Sequence, residues 1–167
     1  MKETVELLIN SNKTIATMES CTGGGVANAI TNISGASSII KYSVVTYSNE
    51  YKIKMGVPKE IIEKYTVYSK ETAIAMARAI SNFADADYGV GITGRFGVID
   101  PANLGGETDL VYVDIYDREN DRDNILTIRS LDEPRCQNKD LVITEINAKL
   151  CEILKEKIAQ QSLKLEK

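Results

Sequence analysis

Residues 17–25 have the sequence Thr-Met-Glu-Ser-Cys-Thr-Gly-Gly-Gly and connect a short apolar strand to a predicted helix. Ser20 in this turn is a candidate nucleophile, although serine is also a common helix cap. Cys21 is a weaker candidate, because a cysteine without a histidine or metal partner is more often a buried apolar residue. A strand that ends at a helix N-terminus also offers free backbone N–H groups, which suit a phosphate or a developing oxyanion.

The sequence contains no histidine. This absence excludes Ser-His-Asp and Cys-His catalysis, together with metal sites built on imidazole. A lysine, a carboxylate or a tyrosine would then have to accept the proton of a nucleophile. Lys52 is a candidate base if its side chain is buried, since burial lowers the pKa of an ammonium group, but most lysines are solvated surface residues.

Two further side chains have both a functional and a structural interpretation. Tyr47 ends a predicted strand, where a core tyrosine with a solvated hydroxyl is the simpler interpretation. Arg135 follows Pro134 at a predicted helix start, and its guanidinium is either exposed to water or available to a phosphate. The glycines of residues 23–25 match neither the dinucleotide-binding fingerprint nor a P-loop, so they do not by themselves indicate a nucleotide site.

The elements that must position these residues alternate between helix and strand early in the chain. Hydrophobic spacing and turn residues predict helices over residues 2–10, 24–32, 59–65, 70–83 and 137–159, and strands over 14–18, 43–47, 87–92, 111–116 and 125–129. Ser48 is predicted to cap a short helix that carries Lys52. Residues 95–109 have no periodicity and predict a long loop of the kind that binds a ligand.

This order of elements favours an α/β sandwich with a mixed β-sheet, and the length of 167 residues fits a single domain; the three-layer α/β/α arrangement is implied by the family resemblance described below. We assign residues 1–160 to the domain and residues 161–167 to a polar tail that frays. The ends of the strands at residues 18, 47 and 92 meet only if those strands run in compatible directions, which the sequence does not determine.

Composition limits the classes of partner. The net charge of −4 and the pI near 5.0 give no basic footprint for nucleic acid. The three cysteines form no CxxC pair and fit a reducing compartment, and no apolar run is long enough for a signal peptide or a membrane span. We therefore expect a soluble, cytoplasmic protein without a nucleic-acid or membrane partner.

The sequence resembles the C-terminal domain of the CinA family, which is the nicotinamide-nucleotide amidase or NMN deamidase. The segments that carry the resemblance are Glu19-Ser20-Cys21-Thr22-Gly23-Gly24, Val45-Thr46-Tyr47-Ser48-Asn49-Glu50-Tyr51-Lys52 and Gly56-Val57-Pro58. The resemblance covers roughly residues 3–158. It implies an α/β/α domain that releases ammonia from the carboxamide of nicotinamide mononucleotide, a small-molecule nucleotide, with no metal or organic cofactor and as a homodimer.

The resemblance also implies roles for individual residues. Ser20 would be the nucleophile, Lys52 its base, and Tyr47 the group that orients or relays the proton. Arg135 would bind the nucleotide phosphate, and Lys139 stands where a second arginine is usual. The oxyanion would be held by backbone N–H groups and one hydroxyl, contributed by Cys21, Thr22, Gly23, Gly24 and Thr93.

The loop after Thr93-Gly94 departs from the family pattern. The family usually continues with Ile-Ala-Gly-Pro, whereas this chain has Arg95 and Phe96 in place of small residues. Three outcomes stay open for this pocket: a working amidase of the family's type, a pocket that accepts a different amide or nucleotide, or a blocked pocket. The alternative function is therefore a non-catalytic or substrate-shifted CinA-like nucleotide-binding protein, and an interaction protein that uses residues 95–109 is a third possibility.

Overall fold

The computed structural model describes residues 1–165, so residues 166–167 of the predicted polar tail lie outside the described part of the chain. The helices are α1 (Lys2–Asn10), α2 (Gly25–Thr31), α3 (Asn49–Lys54), α4 (Lys59–Tyr65), α5 (Lys70–Ala84) and α6 (Arg135–Leu165), with a 3-10 turn at Ala36–Ser38. The strands are β1 (Ile15–Glu19), β2 (Ile40–Val45), β3 (Tyr88–Gly94), β4 (Leu110–Asp117) and β5 (Ile125–Arg129).

The five strands form one mixed sheet in the order β2-β1-β3-β4-β5. Strands β2 and β3 lie on either side of β1 and run parallel to it, while β4 is antiparallel to β3 and β5 to β4. The carboxyl ends of β1, β2 and β3 therefore meet at one edge of the sheet. The chain passes from β1 outward to β2 and then across to β3, and a crevice opens at such a reversal of strand order.

Helices cover both faces of the sheet, and alternate residues of β1 separate the two layers. Ile15 packs into the larger core cluster with residues of α1, α2 and α6, whereas Met18 packs on the opposite face with Met76 and Ile80 of α5. The predicted α/β sandwich with a mixed sheet in a single domain is confirmed.

The bounds of β2, β3 and α6 differ from the predicted ones by two residues or more, and tertiary pairing or helix propensity accounts for the extensions. Strand β2 begins at Ile40, which pairs with Ile15 of β1, and ends at Val45 instead of at residue 47. Strand β3 continues to Gly94, which pairs with Val111 of β4. Helix α6 runs past the predicted end at residue 159, because residues 160–165 contain good helix formers and neither glycine nor proline.

Gly89 and Gly91 allow helix α5 to lie directly on strand β3. A Cβ atom added to Gly89 would stand 2.1 Å from the carbonyl oxygen of Ala77, and one added to Gly91 would stand 2.2 Å from that of Ala73. Both distances are far below van der Waals contact with backbone atoms, which cannot rotate away. The glycines that weaken the strand pattern in the sequence are therefore required by the close approach of the helix backbone.

Substitution Gly91→Ala tests this close approach. We expect a loss of at least about 2 kcal/mol in the free energy of unfolding, because α5 must move away from the sheet to admit the methyl group. Urea denaturation followed by circular dichroism measures the change. Thr127→Ala, at an exposed position of β5, is the control and should cost less than about 1 kcal/mol. Equal urea midpoints for Gly91→Ala and wild type would contradict the packing described here.

Candidate active site

A pocket of about 500 Å³ opens at the edge where the carboxyl ends of β1, β2 and β3 meet. Its walls come from the turn after β1, the connection from β2 into α3, Tyr68 between α4 and α5, the end of β3 with the loop after it, and the first residue of α6. Of the predicted site residues, Ser20, Cys21, Tyr47 and Arg135 line it. The pocket therefore collects side chains that are up to 115 positions apart in the sequence, from Ser20 to Arg135.

Ser20 and Lys52 lie within hydrogen-bond distance of each other. Ser20 directly follows β1, and the Lys52 amine in α3 stands 3.3 Å from its Oγ atom. The same amine donates to the carbonyl oxygen of Thr46 at 2.7 Å. Helix α3 begins at a Ser48 cap, whose hydroxyl accepts a hydrogen bond from the backbone N–H of Tyr51. The two predicted residues are thus brought together beneath the pocket.

The environment of Lys52 favours its neutral form. Its side chain is 1% exposed, and burial lowers the pKa of the ammonium group from 10.5 to about 8. Within residues 1–165 its hydrogen-bond partners are uncharged, so no carboxylate restores the charged form. About one molecule in ten then carries a neutral Lys52 at pH 7. A neutral amine at this distance can accept the proton of the serine hydroxyl.

Cys21 is adjacent to Ser20, but its environment makes its side chain a poor nucleophile. The thiol is buried, and burial raises its pKa to about 12. A thiol that stays protonated near neutral pH is a poor nucleophile. In the described part of the chain, no cluster of three or more histidine, cysteine, aspartate or glutamate side chains is arranged to hold a metal ion.

Glu19 is a buried residue of the site that the sequence reasoning did not single out. Its carboxylate accepts hydrogen bonds from the Thr22 hydroxyl at 2.7 Å and from the backbone N–H groups of Gly24, Val26 and Ala27 at 3.0, 3.2 and 2.8 Å. The signal in the sequence is an acidic residue at the end of an otherwise apolar strand, immediately before a helix start, where a buried carboxylate needs donors.

The contacts of Glu19 reduce the set of amides available to an oxyanion. Gly24 donates to this carboxylate, and Gly23 donates to the carbonyl oxygen of Ser20 at 3.0 Å. Within residues 1–165, the backbone N–H groups of Cys21 and Thr22 donate to no other residue. Of the four backbone amides predicted to hold an oxyanion, two are occupied and those of Cys21 and Thr22 remain as candidates.

Thr93 lies away from the pocket wall. Its side chain is fully buried, and its hydroxyl donates to the carbonyl oxygen of Val67 at 2.7 Å. The single hydroxyl proton is therefore in use, and this position does not support the predicted contribution of Thr93 to oxyanion binding. The direction of a side chain at a strand end depends on its tertiary neighbours, which the sequence does not reveal.

Tyr47 contacts Arg135 in the structure. Its hydroxyl accepts a hydrogen bond from Nη2 of Arg135 at 2.9 Å, its side chain is 65% exposed, and among residues 1–165 it makes no hydrogen bond to Ser20 or Lys52. The guanidinium of Arg135 also stands 5.0 Å from the ring centroid of Phe96. Tyr47 and Phe96 therefore hold Arg135 at the mouth of the pocket.

Lys139 follows Arg135 by one helical turn but lies in a different groove. A Cβ atom added to Gly23 would stand 3.2 Å from the Lys139 amine, and both residues line a depression between α2 and α6. The two basic residues that begin α6 therefore do not converge on one position.

Arg95 anchors the loop of residues 95–109. Its side chain is 5% exposed and its guanidinium lies 4.2 Å from the ring centroid of Tyr68. It donates to the carbonyl oxygens of Gly105 and Gly106, the second at 2.7 Å. In the described chain it has no carboxylate partner within salt-bridge distance. The loop is thus folded back onto the segment before α5, and the pocket beside it is open.

Asp100 fixes the middle of the same loop. Its carboxylate accepts hydrogen bonds from the Tyr68 hydroxyl at 2.6 Å and from the side chain of Asn103 at 2.7 Å. The Asn103 side chain in turn accepts a hydrogen bond from Asn49 of α3 at 2.7 Å. Burial and the Asp100 carboxylate raise the pKa of Tyr68, so its hydroxyl stays protonated and continues to donate.

Comparisons with known proteins agree with this architecture. The model of the CinA C-terminal domain matches residues 1–145. A CinA-like protein of Endomicrobium trichonymphae is 47% identical over 94 residues, which are 56% of this chain and 22% of the relative. A putative competence-damage inducible protein of Clostridium botulinum is 44% identical over 115 residues, which are 66% of this chain and 27% of the relative. The matched part is thus about a quarter of the length of these curated relatives.

Solved structures share the fold. A CinA superfamily protein from Klebsiella pneumoniae superposes with a TM-score of 0.84 at 23% identity, covering 93% of this chain and 95% of the other. A competence/damage inducible protein from Agrobacterium tumefaciens superposes with a TM-score of 0.71 at 28% identity, covering 94% of both chains. No helix in the described residues is both long and apolar enough to cross a membrane. The family model matches 145 of the 167 residues of this chain, and the chain therefore belongs to the CinA family through the C-terminal domain of that family.

Proposed function

We propose that this protein is an amidohydrolase that releases ammonia from the carboxamide of nicotinamide mononucleotide and leaves nicotinate mononucleotide. The observation that carries the proposal is the buried Lys52 amine 3.3 Å from the Ser20 hydroxyl at the base of an open pocket. In a chain without histidine, a neutral lysine is a base able to activate a serine near neutral pH.

The reaction proceeds through an acyl-enzyme. Neutral Lys52 accepts the Ser20 proton while Oγ attacks the carboxamide carbon, and the resulting oxyanion is held by the backbone N–H groups of Cys21 and Thr22. The tetrahedral intermediate expels ammonia, which takes its proton from the Lys52 ammonium. Water then loses a proton to Lys52, attacks the acyl carbon and releases the carboxylic acid together with the free Ser20 hydroxyl. These steps call for neither a metal ion nor an organic cofactor.

The charges around the pocket favour an anionic ligand. Arg95 and Arg135 both line it, and in the described chain neither is paired with a carboxylate. Asp100 is the acidic residue in the described lining, and its oxygens already accept hydrogen bonds from Tyr68, Ala102 and Asn103. Arg135 is exposed at the mouth, so we assign it to the phosphate of the nucleotide, with Tyr47 as the residue that orients the guanidinium.

A second candidate is an amidase or binding protein with a different ligand. The observation that favours it is the wall of Phe96, Val98 and Ile99, which belongs to the loop that departs from the family pattern and presents apolar groups to the pocket. Under this alternative, nicotinamide mononucleotide raises the melting temperature without turnover, or another amide releases ammonia faster.

Substitution Ser20→Ala tests the nucleophile. We expect ammonia release from nicotinamide mononucleotide to fall by about 10³-fold or more, because the attacking oxygen is lost, while the melting temperature stays close to that of wild type. Ser38→Ala, at an exposed position outside the pocket, is the control and should keep the wild-type rate. If wild type releases no ammonia but is stabilised by the nucleotide, the binding alternative holds.

The pH dependence of kcat/KM tests the base. Because the lowered pKa of Lys52 is about 8, kcat/KM should rise about tenfold per pH unit below pH 8 and level off above it, as the amine loses its proton. Lys54→Ala, which removes an exposed lysine of the same helix, should keep this profile. An ascending limb centred near pH 10 would show that the base is not a buried lysine.

Substitution Arg135→Ala tests the phosphate ligand. We expect kcat/KM for nicotinamide mononucleotide to fall by about 10- to 100-fold, mainly through KM, because a charge-assisted hydrogen bond is lost. The rate with nicotinamide riboside, which lacks the phosphate, should change less than about threefold in the same variant. Equal losses for both substrates would remove Arg135 from the phosphate site. Arg118→Ala, on the opposite edge of the sheet, is the matched control.

A further inference from the structure

We propose that Glu19 is a positioning residue for Ser20 and that its carboxylate holds the turn of residues 20–24 in the geometry that brings Ser20 to Lys52. The effect on turnover rests on the function proposed above. The effect on the Ser20 to Lys52 geometry does not, and can be measured on the protein alone.

The carboxylate of Glu19 binds both ends of the connection between β1 and α2. It accepts from the Thr22 hydroxyl at 2.7 Å, near the start of the connection, and from the Val26 and Ala27 amides at 3.2 and 2.8 Å in the first turn of α2. Thr17 of β1 donates to it as well, at 3.3 Å. The side chain is 1% exposed, so these donors take the place of water.

Ser20 and Cys21 form the two-residue segment between these attachment points. The backbone of Glu19 belongs to the sheet, and Thr22 is bound to the Glu19 carboxylate. A segment of two residues attached at both ends has few alternative conformations, so the direction of the Ser20 side chain follows from the position of that carboxylate.

The main chain of Glu19 is also connected to the base. Its carbonyl oxygen accepts a hydrogen bond from the N–H of Thr46 at 2.9 Å, and the carbonyl oxygen of Thr46 accepts one from the Lys52 amine at 2.7 Å. Glu19 is thus linked to both groups: Ser20 follows it in the chain, and Lys52 is bound to Thr46, the residue directly after β2. Glu19 is not among the described residues that line the pocket, so its role is indirect.

A purely structural role must be separated from positioning. A carboxylate that only caps α2 contributes about 0.5–2 kcal/mol to folding, and its removal lowers the melting temperature without changing turnover per folded molecule. A positioning role lowers kcat in molecules that remain folded, because displacement of a nucleophile by about 1 Å costs up to about 100-fold in rate. KM, which reflects contacts elsewhere in the pocket, changes little.

The experiment uses Glu19→Gln, Thr22→Val and Thr22→Ser in the full chain. Glutamine has the shape of glutamate but places an NH₂ group against backbone donors, so at least one amide of α2 loses its acceptor. We expect kcat with nicotinamide mononucleotide to fall about 10- to 100-fold in Glu19→Gln and less in Thr22→Val, with KM within about twofold of wild type. Thr22→Ser keeps the hydroxyl that donates to Glu19 and is compared with Thr22→Val for the geometry of the turn. Glu145→Gln, at an exposed position of α6, is the matched control.

Crystal structures of wild type and the variants give the readout that does not depend on turnover. In Glu19→Gln or Thr22→Val, the distance from Ser20 Oγ to the Lys52 amine should exceed hydrogen-bond range, and in Thr22→Ser it should be unchanged. An unchanged distance in both altered variants overturns the proposal, as does wild-type kcat in folded Glu19→Gln. If wild type releases no ammonia, the proposed function fails and the distances still decide the role of Glu19. If Glu19→Gln does not fold, the comparison of Thr22→Val with Thr22→Ser decides the role of Glu19.

Discussion

The candidate site depends on one constraint: the Lys52 ammonium is buried, and the described part of the chain places no counter-charge beside it. Lowering its pKa from 10.5 to about 8 corresponds to about 3 kcal/mol of folding free energy that the rest of the molecule must offset near neutral pH. This cost is a sizeable part of the net stability of a typical domain. The apolar burial that offsets this cost comes from both faces of the sheet. Helix α5 packs on the two glycines of β3, and α1, α2 and α6 pack on the other face.

The fold could be predicted from the sequence to the level of layers and sheet type, but not to the level of strand order. Alternation of helices and strands, followed by a hairpin, indicated the mixed sandwich, because hydrophobic spacing is a local property. The placement of β1 between β2 and β3, all running in one direction, depends on pairing between distant segments. Gly89 and Gly91 illustrate the limit: alone they weaken a strand, whereas beside α5 they are required.

The sequence predicted the parts of the candidate site that depend on residue type. It did not predict the parts that depend on the direction of a side chain. The missing histidine and the resemblance to the CinA family selected Ser20 and Lys52, which the structure places 3.3 Å apart. The Tyr47 hydroxyl is hydrogen-bonded to Arg135 and not to Lys52, and the Thr93 hydroxyl donates to the carbonyl oxygen of Val67. Neighbouring elements decide where such side chains point. The predicted homodimer and the individual catalytic roles stay predictions.

The loop of residues 95–109 begins and ends on neighbouring antiparallel strands. Arg95 donates its backbone N–H to the carbonyl oxygen of Leu110, and Gly97 donates to that of Thr108, so the loop closes on itself where it leaves the sheet. Ser20 and Lys52 belong to other segments of the chain. A loop that leaves and rejoins adjacent strands can be exchanged as one piece if its hydrogen bond from Asn49 of α3 to Asn103 is kept, so the pocket wall and the Ser20–Lys52 pair are separable traits in the evolution or redesign of this scaffold.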